Sequence, residues 1–441
     1  MNARAANASE LRTLLRLAGP LILGYVGSTL MSMTDTAMVG RLGAGALAGV
    51  GIGNGVYFTV TCFGLGCVAG VEAPIAQALG AGERLRARRL LWQGVRVAVV
   101  VSLPLIVIMS LLPPLLPSFG IDALTTHESG AYLWARMLNV VPFLVFNAQR
   151  SYLQASGNTR PIVVATAAGI IANAAGNWLF IYRFGLGVAG SGIASTLAAT
   201  AMVAAVAPAV ASIDTPEDPD RRRFDRGLVR TILRLGVPNG LQVVAEVGVF
   251  ATVGVLAGRI GATSAAAHTV AITLASFTFC TTLGIGEATS VRVGHHIGAG
   301  DHEGARTAGL IGLASSSVFM TTAALAFFAF APELAAALTN DASVLAVAVP
   351  LVHVAAIFQI SDGLQATAAG ALRGAGDPHA PLYANLVGHW VIGLPVAVVL
   401  GFVMHEGAVG LWWGLSLGLT AVAVALIGRF LWLTARPIRR V

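Results

Sequence analysis

The chain has 441 residues, 56% of them hydrophobic and only 11% charged, less than half the charged share of a soluble domain. That composition excludes a soluble cytoplasmic enzyme, a disulfide-stapled secreted scaffold and a disordered chain. The net charge of +7 rests on 27 basic residues, every one an arginine, set in short clusters between apolar runs rather than in a stripe that tracks nucleic acid.

In chain order, the first dozen residues are polar and carry no sign of a cleaved signal peptide. Twelve apolar stretches follow, over roughly 14–39, 46–72, 89–112, 130–148, 161–182, 188–211, 231–257, 264–290, 307–330, 344–370, 380–403 and 408–433. Each is long enough to cross the hydrocarbon core as a helix. None alternates polar and apolar residues as a barrel strand does. The predicted fold is an all-α membrane protein of twelve transmembrane helices. Cys62, Cys67 and Cys280 fall inside apolar stretches, without disulfide or zinc spacing, and read as small buried hydrophobes. The histidines show no helical metal spacing, and no phosphate-loop, nucleophile-elbow or zinc motif is present.

With the N-terminus placed in the cytoplasm, 22 arginines fall on that side. Only Arg41, Arg183 and Arg259 fall opposite, while Arg96 and Arg136 lie within spans. The positive-inside rule then predicts both termini to be cytoplasmic in the plasma (inner) membrane. Trp412 and Trp413 open the last span on the outer side and fit an aromatic belt there.

The two halves of the chain repeat. Leu15-Arg16-Leu17 and Pro20 match Leu233-Arg234-Leu235 and Pro238. Gly40-Arg41-Leu42-Gly43-Ala44 matches Gly258-Arg259-Ile260-Gly261-Ala262, and Gly80-Ala81-Gly82 matches Gly298-Ala299-Gly300, all at an offset of 218. Later matches, Leu153 and Gly157 with Leu372 and Gly376, then Gly187 and Gly190 with Gly407 and Gly410, sit at 219 and 220. Six spans per repeat is an even number, so the repeats are parallel and related by an axis along the membrane normal. The expected lobes are 1–211 and 231–441, joined by a polar cytoplasmic linker over 212–230. Two such lobes around a shared cleft suit alternating access.

Five acids fall within spans: Asp35, Glu72, Glu246, Glu287 and Asp362. A carboxylate costs about 2.5–3.5 kcal/mol at a helix centre even on the lenient insertion scale, so such groups face a cavity or a partner. Glu246 and Asp362, deep in spans 7 and 10, and Asp35, about one turn from the outer end of span 1, are the strongest functional candidates. Glu72 stands beside a basic loop and reads as a snorkelling side chain, and Glu287 is a further candidate. A buried carboxylate can exchange a proton, a metal cation or a cationic substrate, and mutual exclusion among these is the physical basis of antiport. Asn173 and Asn177, four apart on one helical face, supply amides that need a partner such as a carboxylate. Pro20 and Pro238 each free a backbone carbonyl and can bend a helix.

These residues carry a resemblance. The stretches LAGPLILGYVGSTLMSMTDTAMVGRLG, LQASGNTRP, ATSVRVGHHIGAGD and FQISDGLQATAAGALRGAGDP resemble the multidrug and toxic compound extrusion (MATE) family, NorM-like branch, across essentially all twelve spans. The resemblance implies a V-shaped pair of six-helix lobes exporting cationic amphipathic compounds against proton or sodium entry, as a monomer and with no cofactor beyond the coupling ion. It implies that Asp35, Asn173, Asn177 and Ser195 form one cation-coupling cluster. It implies that Glu246 and Asp362 are the acids of the other lobe, and that Pro20 is a helix-bending proline. Where many NorM-like proteins have a tyrosine four residues before the span-10 aspartate, this chain has Phe358, which removes one oxygen from the expected cation site and tilts that lobe toward protons. The alternative reading is a flippase of lipid-linked oligosaccharide precursors, which would need several arginines lining its path.

Overall fold

The structure, a computed structural model, describes residues 3–213 and 219–441; positions 214–218 of the expected linker lie outside the described residues. Twelve helices are long and apolar enough to cross a membrane. They are α1 (Asn7–Gly40), α2 (Ala44–Gly80), α3 (Arg84–Leu111), α4 (Ala123–Ala155), α5 (Arg160–Arg183) and α6 (Gly187–Ser212). The second six are α7 (Arg226–Ile260), α8 (Ala262–Gly298), α9 (His302–Ala329), α10 (Ala342–Gly374), α11 (His379–Val403) and α12 (Gly407–Thr434).

The helix ends explain why the chain breaks where it does. Asp122, Asp301 and Asp341 cap α4, α9 and α10 by accepting the backbone N–H groups of Thr125, Gly304 and Ser343 at 2.9, 2.8 and 2.8 Å. Asp225 does the same for α7 through Gly227 and Leu228, satisfying donors that a helix start leaves open. At the opposite ends the chain turns on left-handed glycines, and these recur in pairs at the repeat offset. Gly82 and Gly300 have φ of 79° and 77°, Gly157 and Gly376 have 74° and 80°. Only glycine enters that region without steric cost, so the repeat is a repeat of turns as much as of spans. The helices also deviate alike: α5 and α11 both close on π-helical turns, at Trp178–Arg183 and Val399–Val403.

The chain packs as two compact units, Leu23–Gly240 and Met1–Ile22 with Leu241–Val441, here called the N-unit and the C-unit. Their borders differ from the lobes expected at 1–211 and 231–441. Both fall inside helices, two residues after Pro20 and Pro238, so each repeat contributes the first half of its first helix to the other repeat's unit. Small residues are the reason. In the N-unit, Gly66 and Gly70 of α2 lie so close to α7 that a Cβ on either would collide with the backbone around Gly240 and Gly236. In the C-unit, Gly284 of α8 lies against Ile22 of α1, where a Cβ would meet the isoleucine side chain and its backbone nitrogen. Close backbone approach of this kind holds helices together in lipid, where burial of apolar surface supplies little drive.

Polar contacts near the arginine-rich helix ends complete each unit. In the C-unit, Arg292 of α8 donates through Nε and a terminal nitrogen to both carboxylate oxygens of Glu10 at 2.7 and 2.6 Å. His296, one turn on, reaches Glu10 and Asp301. This is what the Arg292–His296 stretch does structurally: it fastens the start of α1. In the N-unit, buried Arg88 donates to the carbonyls of Val210 and Ala211 at the end of α6, where open acceptors and the negative end of the helix dipole favour a cation.

Candidate functional site

The N-unit site is built on Asp35, one turn short of the end of α1 and only 4% exposed. Its Oδ1 accepts hydrogen bonds from Nδ2 of Asn173 (2.9 Å) and of Asn177 (2.6 Å) on α5. Its Oδ2 accepts one from Ser195 Oγ on α6 at 3.2 Å. The two asparagines are linked in turn, Asn177 Nδ2 to Asn173 Oδ1 at 3.2 Å. The four residues expected to form this cluster, Asp35, Asn173, Asn177 and Ser195, therefore meet at one carboxylate. Asn177 Oδ1 is buried without a hydrogen-bond partner among the described residues.

Sequence reasoning missed the fifth member. Arg136 of α4 places its guanidinium 3.9 Å from Asp35 Oδ2 and lies over the rings of Tyr57 and Tyr132, at 4.3 and 5.3 Å from their centroids. It also donates to the Tyr132 hydroxyl. Tyr57 is fixed from its far end by Asn139 Oδ1 at 2.7 Å. Asn139 ends a short 3-10 turn, Met137–Asn139, that interrupts α4 directly after Arg136. A cavity of about 60 Å³ opens beside Asp35, with Ser32, Asn54, Tyr132 and Arg136 among its walls. That is room for one or two waters, far below the 300–1,000 Å³ of a drug-sized site.

The C-unit site is built on α7 and α10. Glu246 is half-buried and accepts from Gln365 Nε2 at 3.3 Å; Gln242 lies beside it, one turn earlier on α7. Asp362, one turn before Gln365 on α10, is 6% exposed and close enough to Glu246 for their charges to interact. Among the described residues no hydrogen bond or ion pair reaches the Asp362 carboxylate. The side-chain oxygens of Gln242 and Gln365 are likewise buried without donors. Four oxygen-bearing groups thus converge, and the charge of Arg373, further along α10, acts on Glu246.

Phe358, one turn before Asp362, is 2% exposed and packs edge-on against Phe250 and Trp412, centroids 6.0 and 5.5 Å apart. It is a wall of the aromatic core beside the acid pair. Trp412 corrects an expectation. It is fully buried and donates from Nε1 to His268 Nδ1 at 3.2 Å, so the aromatic belt at this end of α12 is left to Trp413, which is 42% exposed. The tryptophan pair straddles the helix surface, and adjacent positions on a helix point in different directions. Glu287 is buried on α8, next to Gly286, whose backbone packs against α10. Pro20 stands in the continuous first helix, away from Asp35 by four turns.

Twelve membrane helices in two parallel repeats, with buried carboxylates held inside each unit, define a membrane transporter of the internal-repeat kind. The MatE family model matches residues 20–179 and 238–399, one match to each repeat. The "Probable multidrug resistance protein NorM" of Deinococcus radiodurans is 36% identical over 97% of both chains. The "Multidrug resistance protein NorM" of Aliivibrio fischeri is 31% identical over 98% of this chain and 96% of its own. In fold, the chain is similar to a mutant of the Vibrio cholerae MATE transporter VcmN, with a TM-score of 0.90 at 19% identity, covering 98% of this chain and 99% of that one. The chain belongs to the MatE family, whose members are transporters and not enzymes.

Proposed function

We propose that the protein is a secondary antiporter that exports cationic, amphipathic drugs or toxic metabolites in exchange for H⁺ or Na⁺ by alternating access. It works as a monomer in the plasma (inner) membrane, with both termini and the arginine-rich helix ends in the cytoplasm. The observation that carries this reading is Asp362, buried without a hydrogen bond beside a second carboxylate, Glu246. Two acids held together in a low-dielectric site bind a proton or a small cation between them, and a protein that served only as a scaffold would have no use for the arrangement. Ion and drug then lower each other's affinity by reciprocal linkage. The multidrug-resistance names of the relatives agree with the substrate class. Proline at position 20 leaves the Arg16 carbonyl without its helix partner, which supplies α1 with a place to bend.

The flippase alternative loses its reagents. Of the two arginines that the sequence places well inside spans, Arg136 stands beside Asp35, and Arg96 bonds Gln93 and the carbonyl of Arg222, so both are already engaged by groups of the protein.

The test is reconstitution. Purified protein in proteoliposomes should expel a fluorescent lipophilic cation when a pH gradient or a sodium gradient is imposed alone, the effective gradient naming the coupling ion. Asp362→Asn should lose gradient-driven efflux, by about fivefold or more given coupling energies of about 1–3 kcal/mol, while remaining folded. Full efflux by that variant would overturn the role of Asp362, and no efflux by the parent protein under either gradient would overturn antiport.

A further inference from the structure

We propose that Arg136 is a resident counter-cation of Asp35, so that the N-unit site neutralises its own carboxylate and the coupling ion is left to the Glu246–Asp362 pair. The inference rests on the antiport reading and sharpens it by dividing labour between the units.

The geometry is that of a cation seated but not locked. A guanidinium bound to a carboxylate as tightly as it can be forms two parallel bonds near 2.7–2.9 Å, as Arg292 does with Glu10. Arg136 instead stands at 3.9 Å, near enough to cancel the charge of Asp35 and too far to bond it well. Its Nε is buried with no acceptor among the described residues. What holds it are the faces of Tyr57 and Tyr132, an attraction suited to a cation that must stay charged in a dry place. The Asp35 carboxylate takes its real hydrogen bonds from neutral donors, Asn173, Asn177 and Ser195. Amide and hydroxyl donors orient a carboxylate without discharging it, so the positive charge in this site comes from Arg136.

The surroundings leave that assignment uncontested. Among the described residues, the charged or titratable groups that contact Asp35 or Arg136 from elsewhere are Tyr132 from α4 and Tyr57 from α2, while α5 and α6 bring two amides and a hydroxyl. The adjoining cavity holds water-sized guests. A small cation entering it meets a carboxylate already matched by an arginine, whereas the same cation arriving at Glu246 and Asp362 meets two acids with the charge of one arginine, Arg373 further along α10, acting on Glu246.

Cation counting on the purified full-length protein tests this, with no transport involved. Bound ²²Na⁺ is measured by equilibrium dialysis, and protons taken up are measured by titration at pH 7. Four proteins are compared: parent, Asp35→Asn, Arg136→Gln and the double variant. With Arg136 as the resident cation, Asp35→Asn holds as many cations as the parent, because no bound ion depended on that charge. Arg136→Gln holds one more, Na⁺ or H⁺, and binds Na⁺ roughly tenfold or more tightly if sodium is the guest. The double variant returns to the parent count. If Asp35 itself carries an exchangeable ion, Asp35→Asn loses one cation and Arg136→Gln matches the parent, which overturns the proposal. Should Arg136→Gln fail to fold, Asp35→Asn alone still decides between an unchanged count and a count lower by one. A parent protein that shows no gradient-driven efflux would sink antiport and leave these counts as they are, so the two failures are told apart.

Discussion

Asp301 shows how much one side chain can settle at the edge of the bundle. It caps α9 through the Gly304 N–H and meets His296 at 2.9 Å. The Gly304 bond, the largest effect, holds its carboxyl below the usual carboxylate range with help from His296, against an opposing effect of burial that ranks between the two. A carboxylate whose acid constant is depressed by folding adds stability above the unfolded value, near 3.9, and loses it as pH falls through the folded one. Asp301→Ala should therefore lower the thermal midpoint at pH 7, by the roughly 1 kcal/mol of a lost N-cap, and the gap to the parent should narrow as pH falls below about 4. Tryptophan fluorescence melts at pH 7 and pH 3 check it, and an equal gap at both would refute the charge argument. At the same scale, the legibility of the candidate site follows what each residue signals alone. Asp35, Glu246 and Asp362 announce themselves as acids in apolar runs, and Asn173 and Asn177 share a helical face by spacing. Ser195 is one hydroxyl among many and is found only through resemblance. Arg136 is visible as an arginine in a span, yet its partner lies 101 positions away on another helix. In spans that are apolar all round, periodicity does not say which face meets which neighbour, and the same silence hides Gln365 from Glu246.

Helices in this fold meet where side chains are missing. On α10, a Cβ at Gly370 would collide with the carbonyl oxygen of Gly286 on α8, and one at Gly374 with that of Ser290. Rotamer changes cannot relieve a clash between a Cβ and backbone, so the two helices would have to part. Gly370→Ala should cost about 1–3 kcal/mol, as overpacking does, and lower the thermal midpoint. The control is Gly258, near the end of α7, where a Cβ meets nothing within 4 Å. There Gly→Ala should leave stability unchanged or raise it by up to about 1 kcal/mol through helix propensity. If both variants melt alike, close approach of α8 and α10 is not what holds this face. The turns at this scale were readable, because Gly82, Gly157, Gly300 and Gly376 recur in place and their left-handed φ explains the residue. The π-helical closures of α5 and α11 were not, since they follow from how the last turn packs rather than from any residue in it.

For the whole molecule, the repeat and the packing unit are different divisions of one chain. The repeat is written in the sequence as an offset, and the polar stretch around 212–230 marks its seam. The unit is decided by which helix halves fit together, and there the glycines of α2 and α8 select Gly236, Gly240 and Ile22 across the seam. A chain cut within 214–218 should then behave in a way that simple duplication does not predict. The fragment 1–213 lacks Arg226–Gly240, which fills the small-residue face of α2. The fragment 219–441 lacks Met1–Ile22, and with it Glu10, the bidentate partner of Arg292. Removing one member of a buried, hydrogen-bonded ion pair typically costs about 3–5 kcal/mol; this pair is part-exposed, with side chains 18% and 12% accessible, so solvent screening reduces that figure. Expressed singly, each fragment should run as a broad, aggregated species on size exclusion and melt without cooperativity. Expressed together, the two should copurify and melt near the intact protein, because each unit is then complete from two chains. A single fragment that is monodisperse and melts sharply would mean that a six-helix repeat folds without its exchanged half-helix, and the unit borders at 22 and 240 would no longer describe how the molecule is built.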